Sequence, residues 1–94
     1  MKVRWTIPAV NQFRSIFDYI ATDNPAAAPR AVGRIRDAIH RAANMPYSAR
    51  AGRVAGTREI PVVGTPYLVA YRIVENTIHV LAILHRAQNW PESF

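Results

Sequence analysis

An α+β fold is predicted for this chain, ordered β-α-α-β-β-β, with a helical hairpin packed on a small, mainly antiparallel sheet. Three observations predict it. A segment of alternating polarity opens the sequence, two stretches with apolar residues at spacings of three and four follow, and three β-branched, apolar runs separated by turn residues complete it. Ninety-four residues enclose one core, so residues 1–94 read as a single domain.

The first strand is Lys2–Ile7, where Val3, Trp5 and Ile7 share one side and Pro8 stops the ladder. From Ala9 to Ala21, Ala9, Phe13, Ile16, Phe17 and Ile20 form the apolar stripe of a first helix. Asn24-Pro25 reads as an N-cap with proline at the first helical position, starting a second helix that ends near Asn44, ahead of Pro46. Its apolar stripe is Ala28, Val32, Ile35, Ile39 and Ala42, opposite Arg30, Arg34, Asp37 and Arg41. Pro46 to Gly56 is small, basic and aperiodic, and reads as an exposed loop. Thr57–Val63, Tyr67–Val74 and Thr77–His85 are the remaining strands. A two-residue turn at Glu75-Asn76 pairs Arg72 with His79 and Leu68 with Ile83. That register puts Leu68, Ala70 and Arg72 on one face with His79, Leu81, Ile83 and His85.

Composition excludes several classes of chemistry. With no cysteine there is no disulfide, thiolate metal site or thiol nucleophile. The three histidines are scattered without ligand spacing, and the glycines form no phosphate loop, so neither metal nor other cofactor is expected. The start of the chain lacks a signal-peptide core and no stretch suits a bilayer span, which predicts a cytoplasmic protein that does not enter membranes. The net charge of +6 comes from twelve bases, all arginine except Lys2, against six acids. Seven arginines and one acid, Asp37, lie between Arg30 and Arg58. Such a field suits phosphate or an acidic peptide, although GC-rich coding also favours arginine.

Two sets of residues are candidates for function. Metal-free RNA cleavage needs a base, an acid and a cation, which His85, Glu59, Arg72 and Arg86 are able to supply. The bland alternative is a cross-strand Glu59–Arg72 ion pair, with His85 bonded to backbone at a strand end. Arg50, Arg53 and Arg58 lie in or beside the basic loop and are expected to contact a target, with Arg86 and Trp90. Trp90 either closes the core or presents an aromatic hot spot. Arg30, Arg34 and Arg41 either pair with Asp37 along the helix or dock an acidic partner.

The element order, together with Asn24-Pro25, Ala26-Ala27-Ala28, Gly52-Arg53, Gly56-Thr57-Arg58-Glu59, Pro66-Tyr67, Tyr71-Arg72 and His85-Arg86-Ala87-Gln88-Asn89-Trp90-Pro91, resembles the RelE/ParE toxins of type II toxin–antitoxin systems. The resemblance spans nearly the whole chain and is strongest to the ParE branch. It implies a toxin that inhibits DNA gyrase by binding. It also implies a cognate antitoxin whose acidic, amphipathic segment folds onto apolar and basic surfaces in a toxin–antitoxin hetero-oligomer, for which Leu68, Leu81, Ile83, Arg30 and Arg34 are the expected contacts. The RelE branch implies instead a ribosome-dependent mRNA endoribonuclease. In that branch an arginine typically follows the tyrosine of a Gly-Tyr-Arg motif, and here the position is Leu68. A member that binds its antitoxin without a toxic target is the third reading.

Overall fold

The computed structural model describes residues 1–94. In chain order it contains β1 (Lys2–Trp5), α1 (Ile7–Asp23), α2 (Ala27–Asn44), β2 (Arg50–Ala51), β3 (Arg58–Pro61), β4 (Tyr67–Val74) and β5 (Thr77–His85). The five strands form one sheet in the order β1-β5-β4-β3-β2, with β1 parallel to β5 and the other pairs antiparallel. The α+β class and element order follow the expectation, with β2 added inside the segment expected to be an open loop. Two residues of that segment pair with β3, Arg50 opposite Glu59 and Ala51 opposite Arg58.

The first strand is shorter than its alternation suggests because Thr6 turns the chain. Its hydroxyl donates to Val80 O at 2.8 Å and accepts from Ala9 N–H at 3.4 Å, so the cap that starts α1 also anchors it to β5. Ile7 therefore begins the helix and stands 78% exposed instead of joining Trp5 in the core. Beyond β1, the edge of β5 is open, and Gln12 on α1 covers part of it by accepting from Ile83 N–H at 2.8 Å. The second helix starts at Ala27, two residues after the expected proline position. Asn24 still serves that entry, since its side chain accepts from Ala27 N–H at 3.3 Å.

The α2 stripe is buried as expected: Ala28, Val32, Ile35, Ile39 and Ala42 all face inward, joined by Ala38 and Ala43. Of these, Ile35, Ala38, Ile39, Ala42 and Ala43 pack with Ala9 and Ile16 of α1 on Val69, Tyr71, Ile78, Val80 and Ile83 of the sheet. Phe17 remains largely exposed, so the buried stripe of α1 is narrower than predicted. Tyr71 anchors the core, wholly buried with its hydroxyl donating to Pro46 O at 2.6 Å. Burial raises the Tyr71 phenol above its usual 10.0, against the lowering effect of Arg58. A raised folded-state value means that neutral Tyr71 stabilises the fold fully below pH about 10, and that this contribution is lost as pH rises through the folded value. Tyr71→Phe should therefore cost about 1–2 kcal/mol at pH 7 and leave a shallower alkaline decline, read by urea unfolding from pH 7 to 11. An unchanged alkaline limb would show that Tyr71 does not drive it.

The hairpin joining β4 and β5 has both turn residues at positive φ, Glu75 at 48° and Asn76 at 63°. Near this turn the register is the expected one, Val74 opposite Thr77 and Arg72 opposite His79. Between Ala70 and Tyr71 it shifts, because Tyr71 pairs with Val80 and Ala70 with Ala82, leaving Leu81 as a bulge. Leu68 thus pairs with Leu84, not Ile83. One extra residue exchanges faces: Ile83 joins the helix-side core, while Ala82 and Leu84 turn to the outer face.

Candidate functional site

Leu68, Ala70, Ala82 and Leu84 line the outer face of the sheet at the end away from the β4–β5 turn. The chain after β5 folds back over them, and Trp90 packs, partly buried, on Ala70, Ala82 and Leu84. Arg53 lies over the Trp90 ring at 3.9 Å from its centroid. The same guanidinium meets Glu59, Nε to Oε2 at 3.3 Å, while Arg53 N–H donates to Oε2 at 2.7 Å and Arg50 Nη2 to Oε1 at 3.1 Å. Glu59 is only 2% exposed, and these three donors compensate its buried charge. The Glu59 partner is thus supplied by β2 and the loop after it, and the expected cross-strand pair with Arg72 is not formed. Sequence reasoning missed this because the pairing follows from β2, a two-residue strand without a periodic signal.

Beside this cluster lies a cleft of about 670 Å³ lined by Ser48, Arg50, Arg53, Glu59, Leu68 and Arg86, among others. Arg86 makes no ion pair and its side chain donates no hydrogen bond, so its charge is unspent at the cleft wall. Arg58 is differently placed. It pairs with Tyr71, and its Nη1 donates to Ala49 O at 2.9 Å and Tyr47 O at 3.1 Å, clasping the loop after α2.

The proposed acid–base set is only partly brought together: Glu59 and Arg86 line the same cleft, while His85 lies on the other face of the sheet. The bulge carries His85 opposite Tyr67, whose ring meets the imidazole edge-on at 5.6 Å, whereas Glu59 pairs with Ala70 on the outer face. The expectation that the two share a face is therefore corrected. His85 instead organises the following turn: Nδ1 accepts from Ala87 N–H at 3.0 Å, and the His85 backbone N–H donates to Gln88 Oε1 at 2.8 Å. No three His, Asp or Glu side chains converge as metal ligands, and no helix is long and apolar enough to cross a membrane.

The arginines of α2 hold the β3–β4 loop. Arg34 Nη1 donates to Val63 O at 3.2 Å and Arg41 Nη2 to Pro61 O at 3.3 Å, while Asp37 forms no ion pair, contrary to the expected intrahelical pairing. Arg34 lies so close over Gly64 that a Cβ there would collide with its guanidinium, and Gly64 also has φ 74°. Arg30 lines the same small depression with Arg34. Of the apolar residues expected to meet a partner, Ile83 is buried in the helix-side core, Leu68 is buried at the wall of the cleft, and half-exposed Leu81 lines a groove with Thr6 and Phe94.

Residues 3–90 match the family described as ParE toxin of type II toxin-antitoxin system, parDE, and the chain belongs to the ParE toxin family. A Sinorhizobium fredii protein carrying the toxin designation Y4kP is 38% identical over 91 residues, covering 97% of this chain and 94% of that protein. Toxin RelE2 of Caulobacter vibrioides is 33% identical over 87 residues, covering 93% and 97%. Among solved structures, a chain of the chromosomal ParDE TA system from P. aeruginosa superimposes with a TM-score of 0.82 over 90% of this chain and 95% of that one, at 23% identity.

Proposed function

We propose that this ParE-family toxin acts in the cytoplasm by binding DNA gyrase without hydrolysing a substrate, and that a cognate antitoxin neutralises it in a hetero-oligomer. One observation carries the reading: His85 lies on the other face of the sheet from Glu59, while Arg86 stands unpaired at the cleft. Glu59 is held by two arginines, His85 is tied into a turn, and Leu68 stands at the position where the resemblance to the RelE branch implies an arginine. Arg86 and the exposed side of Arg50 offer forks to a target carboxylate. Arg53 and Trp90 support that wall, and Arg58 supports the loop beside it. The antitoxin's acidic segment docks on Arg30 and Arg34 and along the Leu81 groove, ordering as it binds.

Pulse labelling of DNA and protein synthesis minutes after induction, in cells lacking the antitoxin, tests the target. DNA synthesis should fall first with translation intact. An immediate fall in translation would favour the RelE-type nuclease, and no change in either a chain that binds only its antitoxin. Arg86→Glu should weaken inhibition of gyrase supercoiling by about tenfold or more with an unchanged melting temperature. His85→Ala should weaken it less, and the reverse ranking would remove the cleft from target contact.

A further inference from the structure

Away from the cleft, the outer face carries a second basic feature made by strand register alone. Arg4 of β1 pairs with His79 of β5, and His79 pairs with Arg72 of β4, so three cationic or protonatable side chains stand in line across adjacent strands. Lys2 occupies the next outward position, on the rung it shares with Thr77 and Val74. Tyr71, Ile78 and Val80 face the helices, which puts Arg72 and His79 on the side the helices leave open. No carboxylate pairs with Lys2, Arg4 or Arg72, and none of the row's side chains makes a hydrogen bond to protein. Arg4 and Arg72 stand two strands apart with His79 between them, and neither pairs with a carboxylate, so ion pairing within the protein does not account for their placement.

We propose that this row is a docking surface for the phosphate backbone of duplex DNA, read without sequence preference. At about 4.8 Å between strands the row is roughly 10 Å long, a length over which one DNA strand presents three or four phosphates. An acidic protein surface fits less well. The outer-face residues Ala70, Ala82 and Leu84 are buried beneath Trp90, so beside the row a protein partner would find only Val74 and the half-exposed Leu81 as apolar anchors. Single-stranded nucleic acid fits less well for a related reason: no aromatic side chain stands on the row as a stacking platform, and Trp90 is already covered by Arg53.

The test is direct binding of the whole chain to a fluorescently labelled 20-base-pair duplex, without gyrase or antitoxin, by anisotropy at several salt concentrations. Arg4→Gln/Arg72→Gln should weaken binding about tenfold or more near 0.1 M salt and make the slope of log affinity against log salt shallower by ~1.8. Its thermal midpoint should be unchanged, because neither arginine pairs with another group of the protein. Arg14→Gln/Arg36→Gln removes the same charge from the helices and should leave affinity within about twofold. Equal losses in the two variants would show a response to bulk charge and overturn the assignment. So would absence of binding at low salt, tighter binding to single-stranded RNA of equal length, or tighter binding to polyglutamate, the last redirecting the surface to an acidic protein.

Discussion

Replacing Ile39 with Asp is expected to abolish cooperative folding. Ile39 lies in the buried stripe of α2 and packs with Ile35, Ala42 and the helix-side face of the sheet. A carboxylate there would find no cation or donor in a cluster of aliphatic and aromatic groups, and protonating it would still leave a polar group in place of an aliphatic one. The combined loss, on the order of 4 kcal/mol or more, is comparable to the whole stability of a small domain. Circular dichroism melts and urea titrations should show a broad or absent transition where the parent chain has a sharp one. Ile39→Val, which keeps the shape, should cost only about 1 kcal/mol. A parent-like melt for the aspartate variant would refute the packing of α2.

The second large effect is expected at Glu59. Glu59→Ala leaves Arg50 and Arg53 without their anion and Arg53 N–H without its acceptor. Losing one member of a buried pair costs about 3–5 kcal/mol when both partners are enclosed. The arginine side chains here are 65% and 42% exposed, so water compensates them in part and about 2–3 kcal/mol is the expected loss. Glu59→Gln keeps an acceptor and should recover part of it. Because Arg53 also lies on Trp90, the alanine variant should shift Trp90 emission to longer wavelength, read in a Trp5→Phe background that leaves Trp90 as the single tryptophan. A stability change under about 0.5 kcal/mol with unshifted emission would show that the cluster does not hold the C-terminal segment.

Most of the fold was legible because it depends on near neighbours in sequence. The α2 stripe is a matter of helical period and solvent, and β4 and β5 were bounded by Gly64-Thr65-Pro66, Glu75-Asn76 and their β-branched content. Thr6 shows where that reading fails. Alternation carried β1 on to Ile7, but a hydroxyl able to bond Val80 O and cap a helix at once makes turning cheaper than extending. The site was legible as a list of residues and not as an arrangement. Arg50, Arg53 and Arg86 meet at one cleft, whereas Arg58 faces the opposite side of the sheet.

By itself the sequence determined the class of fold, the order of its main elements, the face that α2 buries and the ParE-family motifs. Each of these follows from spacing, turn chemistry or local residue pattern. Only the tertiary structure decided which carboxylate meets which arginine, that His85 and Glu59 lie on opposite sides of the sheet, and that Arg4, His79 and Arg72 align. The physical reason is register. Side chains alternate with a period of two, so the single extra residue at Leu81 exchanges the faces of all that follow, and no local pattern marks where such a residue will be placed.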